Sequence, residues 1–301
     1  MGISNDIRYK YASMSVVGKM IVINTVIFIL NILLPFLFSL PQDFFLKWFE
    51  LPKQFSEFIT RPWSIITYAF FHADGIGQGR LYIWHILWNM VLLYFSGRIF
   101  LNLFRGRRFL NVYFLGAIMG GVFFVLSYNM FPAFFQVNTS LIGASAAVMA
   151  ILIFVCTYIP NQETRILFFN VKLWYIGGFF VILDLVQIPF GNAGGHLAHL
   201  GGATLGFVYA KKLYEGKDIG EWFEKIMSRM VSFFKPKKKS PLKTVYKKEK
   251  VTATTASYSA SYTKNEHQQK IDDILDKISK SGYESLSKEE KDYLFNAGKD
   301  S

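Results

Sequence analysis

The sequence predicts an all-α fold: a polytopic membrane protein with a six-transmembrane-helix bundle and a cytoplasmic C-terminal tail. Three observations predict it. Apolar residues make up 52% of the 301 residues and mean hydropathy is +0.27, more than a soluble chain of this length carries. Charge is excluded from long tracts: no Lys, Arg, Asp or Glu occurs from 109 to 162, and only Asp184 from 173 to 210. Six stretches, at about 17–40, 83–104, 109–127, 141–159, 173–190 and 196–213, approach the roughly 17–25 apolar residues needed to cross hydrocarbon.

Residues 1–16 form a polar segment, too long before its first apolar run for a secretory signal, and Asp6 stands where a myristoylation motif wants Ser or Thr. The membrane domain is expected over 17–213. Between its first two spans, residues 41–82 are aromatic-rich and too mixed to cross, so they are expected to lie partly embedded at the interface. Lys and Arg placement sets the orientation. With both termini cytoplasmic, the inner segments carry Arg8, Lys10, Lys19, Arg98, Arg105, Arg107, Arg108, Arg165 and Lys172. The long first connection dissents, with Lys47, Lys53, Arg61 and Arg80.

The tail has three parts. Residues 214–250 read as an amphipathic helix, "IGEWFEKIMSRMVSFF", followed by a polybasic segment suited to an anionic leaflet. Residues 251–264 are a Ser/Thr-rich linker expected to be disordered. Residues 265–301 predict a small helical hairpin for a protein partner, its second helix capped by Ser287 with Glu290 three positions on. The net charge of +12 comes largely from this C-terminal third, so nothing calls for a nucleic acid. The lone Cys156 lies in an apolar run and reads as a buried inert thiol.

The stretch "SLIGASAAVMAILIFVCTYIP" (140–160) carries a hydroxyl, Ser145, where composition says lipid. In the predicted topology Ser145, the pair His85 and Asn89, and the pair His196 and His199 all sit about one or two turns below the outer boundary. Polar groups at that depth face a bundle interior or a wet cavity. His85 and Asn89 are spaced i,i+4 and share a helix face. His199, Gly202 and Gly206 lie on one stripe, and Gly-x-x-x-Gly allows close helix approach. A tight contact with Gly143, Ala146, Ala147 and Ala150 of the fourth span would bring His199 to Ser145, where an imidazole can take the hydroxyl proton.

No carboxylate is placed by the sequence as a third member, so a Ser–His dyad is the reading. Burial without a carboxylate partner would keep the histidine neutral, as a base requires. Asp184 is expected near the outer interface, hydrogen-bonded and without a catalytic role. Asn89, His85 and the free N–H groups at the start of the fourth span are the available oxyanion donors. His196 competes with His199 for the role of base, and the glycine register favours His199. A zinc site of His85, His196 and His199 lacks the acidic base of a metalloprotease, so no metal and no cofactor is expected. His72 reads as structural, and Trp84 and Trp88 as belt or packing residues.

Taken together, "GASA" (143–146), "HILWNM" (85–90), "AHLGGATLG" (198–206) and the upstream "PWSIITYAFFH" (62–72) resemble motifs of the rhomboid intramembrane serine proteases, over roughly residues 16–213. The resemblance implies a six-span core that admits transmembrane protein substrates from the lipid bilayer. It implies Ser145 as nucleophile, His199 as general base, His85 and Asn89 as oxyanion helpers, Gly143 in the serine loop, and Gly202 and Gly206 as the packing pair. The absence of targeting features fits a bacterial inner membrane. Three departures stand out. Ala146 replaces a glycine of the family pattern, and its methyl is expected to crowd the oxyanion pocket. Trp63-Ser64 stands where the family has Trp-Arg. Residues 73–84 look like an insertion before His85. The alternative functions are a catalytically inactive relative that binds or chaperones membrane helices and, more remotely, a transporter, for which the spans lack an internal repeat.

Overall fold

The computed structural model describes residues 3–72, 76–77, 80–81, 83–166, 168–234 and 262–297. They fall in two units, residues 1–236 and 237–301. In the first unit a short helix, α1 (Ile3–Ser13), precedes α2 (Val16–Leu37). Ser15 caps α2 by accepting from the Gly18 N–H at 3.1 Å. The connection that follows contains α3 (Leu46–Phe49), the two-residue strand β1 (Leu51–Pro52), α4 (Phe55–Thr60), α5 (Ser64–Thr67) and a 3-10 turn to Phe70. The suspected insertion includes a two-stranded hairpin, β2 (Ile76–Gly77) with β3 (Arg80–Leu81).

The bundle continues with α6 (Trp84–Leu103), α7 (Gly106–Met130), the short strand β4 (Ser140–Leu141) and α8 (Ser145–Tyr158). A hairpin of β5 (Glu163–Ile166) and β6 (Phe169–Lys172) leads to α9 (Leu173–Gln187), which runs on as a 3-10 turn to Phe190, and then to α10 (Ala193–Tyr214). Four of the described helices are long and apolar enough to cross a membrane: Val16–Leu37, Trp84–Leu103, Gly106–Met130 and Leu173–Phe190. Apolar side chains such as Leu33, Val91, Leu126, Ile182 and Val186 are exposed on these helices, as lipid-facing residues are.

α8 is the centre of the core. Every residue from Ala146 to Cys156 is buried, with α6, α7, α9 and α10 around it. At 14 residues it rises about 21 Å, against a hydrocarbon thickness of about 30 Å. Its first residue is Ser145, so the serine stands at the N-terminal end of a helix shorter than a full span.

Two glycine pairs make this centre possible. A Cβ on Gly202 would lie 2.0 Å from the Ala146 carbonyl oxygen, and one on Gly206 2.3 Å from that of Ala150. From α7, a Cβ on Gly116 would lie 2.3 Å from the Ala150 methyl, and one on Gly120 2.4 Å from the Ala146 methyl. α7 and α10 therefore both approach α8 at near-backbone distance, the small-residue packing that membrane helices use in place of a hydrophobic drive.

Three of the dissenting cations of the first connection, Lys47, Lys53 and Arg61, have partners. Lys47 pairs with Asp43 at 2.9 Å, Arg61 with Glu57 at 2.9 Å, and Lys53 Nζ donates to the carbonyls of Phe135 and Val137. Arg61 also donates to the Lys47 carbonyl, Trp63 Nε1 to that of Trp48 at 2.8 Å, and Thr67 to that of Phe49 at 3.0 Å. Arg61, two residues before Trp63, thus ties two parts of the loop together, and Ser64 is buried.

After α10 the amphipathic helix forms as α11 (Glu221–Phe234) and buries Phe223. It docks through Arg108–Asp218 at 2.9 Å, Arg107–Glu224 at 3.3 Å, and Asn111 Nδ2 donating to the Gly220 carbonyl at 3.3 Å. The polybasic stretch and most of the linker, residues 235–261, lie outside the described residues. The second unit contains α12 (Tyr262–Ser281) and α13 (Lys288–Ala297), so helix begins three residues inside the segment read as linker. The capping box forms: the Glu290 N–H donates to Ser287 Oγ at 3.3 Å, and the Ser287 N–H to Glu290 at 2.8 Å.

Candidate active site

The loop before α8 is held by its backbone. β4 pairs with β1 in antiparallel register, Leu51 opposite Leu141 and Pro52 opposite Ser140. Gly143 has φ +114°, a conformation that side chains disfavour. Its N–H donates to the Tyr68 carbonyl at 3.0 Å, and the Ala144 N–H to His72 Nε2 at 3.5 Å. A Cβ on Gly143 would lie 2.9 Å from both Cε1 and Nε2 of His85 and 3.8 Å from Ser145 Oγ. The imidazole edge of His85 and the Ser145 hydroxyl therefore flank one point of the loop.

The amides of Gly143 and Ala144 are engaged, so the N–H groups beside Ser145 without intrahelical acceptors are those of the first turn of α8; α6 faces them across the cavity. There His85 and Asn89 share a face; Asn89 is buried at 6% exposure and opens on the same cavity.

That cavity, about 780 Å³, is bounded by α6, α8, α9 and α10. Ser145, His85, Asn89, Asp184, His196 and His199 all line it. His199 reaches it because Gly202, one turn further along α10, sits against Ala146, the neighbour of Ser145. Among the described residues no hydrogen bond joins Ser145 to His199; such contacts are often loose before substrate binds. Trp84 and Trp88, read as belt or packing residues, also line the cavity while 64% and 65% exposed.

Two readings from sequence need correction. The first concerns the missing carboxylate. Asp184, late in α9 and 5% exposed, places Oδ1 2.8 Å from His196 Nδ1 and 2.8 Å from His199 Nδ1. It is hydrogen-bonded, as expected, but to both candidate bases. Sequence spacing could not show this, because α9 and α10 meet only through tertiary packing; the signal available was that Asp184 is the sole charged residue in its tract. The second concerns Ala146. Its methyl sits against Gly120 of α7, and Ala146 is not among the residues that line the cavity.

The ligand atoms of Asp184, His196 and His199 lie within 4.8 Å of one another, close enough to hold a metal ion in principle. The same three groups are hydrogen-bonded to one another through Asp184 Oδ1. His72 is 1% exposed and edge-to-face with His85, ring centroids 5.3 Å apart. Burial, with the neighbouring His85 adding to it, pushes its pKa down to about 3, so it is the neutral acceptor that the Ala144 N–H needs.

Comparison with known proteins agrees with this geometry. The rhomboid domain family matches residues 60–216, and a family of unknown function (DUF6576) matches 259–296. RHOMBOID-like protein 12, mitochondrial, of Arabidopsis thaliana is 30% identical over 166 residues, 51% of this chain and 47% of that protein. The match spans about half the length of that relative. With the domain match covering just over half of the sequence, and every motif of the resemblance inside it or bordering it, the chain belongs to the rhomboid family.

Proposed function

We propose that this integral membrane protein is a serine endopeptidase that cleaves transmembrane or juxtamembrane peptide bonds of other membrane proteins. The observation that carries the proposal is the single cavity onto which Ser145, His199, His85 and Asn89 all open. Ser145 Oγ attacks the scissile carbonyl carbon, and its proton passes to His199 Nε2. His85, Asn89 and the N–H groups of the first turn of α8 stabilise the oxyanion. Collapse of the tetrahedral intermediate breaks the C–N bond; His199 returns the proton to the leaving amine, and an acyl ester on Ser145 remains. Water, deprotonated by His199, hydrolyses that ester and restores the serine. Gly143 shapes the loop, and Gly202 and Gly206 bring the helices close enough for the transfer. No metal or organic cofactor takes part.

The proposal includes six crossings, by α2, α6, α7, α8, α9 and α10, with both termini on the cytoplasmic side of a bacterial inner membrane. Substrates are helices weakened near the cut, because an intact helix keeps its carbonyls in its own hydrogen bonds. The tail hairpin is a contact site for a protein partner. A non-catalytic, helix-binding relative is the alternative, and Ala146 was its main support; the seating of that methyl against Gly120 weakens it.

A fluorophosphonate probe tests the reading. Labelling of the wild type that is lost in Ser145→Ala, together with loss of cleavage of a reporter transmembrane substrate, is the expected outcome. Equal cleavage by wild type and Ser145→Ala would reject it.

A further inference from the structure

Asp184 is an ionisable residue in an otherwise uncharged tract, and burying a carboxylate among apolar helices is costly without strong partners. Here one oxygen, Oδ1, receives both histidine Nδ1 atoms at 2.8 Å, and the carboxylate side chain is 7% exposed. An ionised carboxylate only accepts. Where Oδ1 accepts from both rings, each carries a proton on Nδ1, and Nε2 of His199 is the nitrogen left for Ser145.

That tautomer is the one a base for Ser145 requires. Without the carboxylate, a neutral imidazole can carry its proton on either nitrogen, and half of the possibilities are useless. When His199 takes the serine proton, its imidazolium has a carboxylate oxygen 2.8 Å away to offset the new charge. His196 differs. It lies one turn further from Gly202 along α10, and its Nδ1 contacts the same carboxylate oxygen.

We propose, resting on the protease reading above, that Asp184 is the positioning residue for His199, and that His196 is the anchor that holds Asp184 in place. The site then acts as Ser145–His199–Asp184 rather than as a two-residue device. Asp184 never takes the proton; it fixes which nitrogen carries one and steadies the ring.

The test uses the full-length protein in proteoliposomes with a reporter transmembrane substrate, measuring kcat and KM separately. Asp184→Asn keeps the side chain's size but offers an N–H to one histidine and so favours the wrong tautomer. Its kcat should fall by roughly 10²–10⁴-fold, with KM within about twofold and an unchanged melting temperature. His196→Ala, which removes the donor to Asp184, should lower kcat by at least about tenfold; His196→Gln, which can still donate, should bring it back to within about threefold of wild type, whereas His199→Gln should abolish turnover. EDTA should leave the wild type unaffected.

Three results would overturn the proposal: Asp184→Asn turning over within about threefold of wild type, His196→Gln losing activity as fully as His199→Gln, or wild-type activity lost on chelation, which would make the three groups metal ligands. Ser145→Ala, run alongside, separates the failures. If it too is fully active, the protease reading falls; if it is dead while Asp184→Asn is active, only the positioning role falls.

Discussion

The methyl group of Ala146 is seated against Gly120: a Cβ built on that glycine would come within 2.4 Å of it. The residue that departs from the family pattern at the serine loop is thus accommodated by a neighbouring helix. Two glycine pairs, Gly116/Gly120 of α7 and Gly202/Gly206 of α10, pack on Ala146 and Ala150, one pair against methyls and the other against carbonyls.

Gly120→Ala should therefore overpack the α7–α8 contact at a cost of about 1–3 kcal/mol, seen as a lower melting temperature in detergent. Ala146→Gly in the same chain should recover part of that loss. Recovery stays partial because the Ala198 carbonyl also crowds the position, at 2.9 Å. Ala146→Gly alone should leave probe labelling within about threefold of wild type. A gain of tenfold or more would show that the methyl does obstruct the site.

Gly143→Ala tests the loop itself. A side chain there meets both an unfavourable φ of +114° and the His85 ring at 2.9 Å. Backbone strain of this kind costs about 1–3 kcal/mol. The expected outcome is a fall in fluorophosphonate labelling of at least about tenfold, larger than the change in melting temperature would suggest, because His85 is displaced as well. Labelling at the wild-type rate would remove Gly143 from the site.

His72 makes the loop sensitive to acid. Burial lowers its pKa from 6.5 to about 3, while in the unfolded chain it titrates near its ordinary value. Between those two pH values the unfolded state binds the extra proton and the folded state does not, so stability rises with pH across the window and is lost as pH falls from about 6.5 toward 3. A melting-temperature series over that range should slope accordingly in the wild type. The slope should be shallower in His72→Gln, whose uncharged side chain can still accept from the Ala144 N–H. Identical slopes would mean that His72 is not the group responsible.

Much of the architecture was readable from residue order. Apolar runs marked the helices because each must bury its backbone in its own hydrogen bonds within lipid. Glu221–Phe234 and the Ser287–Glu290 cap followed from periodicity and spacing. His199, Gly202 and Gly206 could be placed on one stripe because their spacing is local to one helix. Other features could not be read this way. Gly116 and Gly120 form the same spacing in "GAIMG", yet nothing in the string says which helix they face. Nor does the string show that Arg61 reaches the Lys47 carbonyl, since a loop's partners depend on its path and not on its order.

By itself the sequence determined which segments are helical, which of them carry the serine, the histidines and the asparagine, and that these polar groups sit near helix ends. Those are properties of short windows, where hydrophobic periodicity and i,i+4 spacing act directly. Only the tertiary structure decided that Asp184 meets both histidines and that the Ala146 methyl turns to Gly120. Both depend on the rotation of one packed helix against another, and that angle is set by the whole interface, not by any residue that contributes to it.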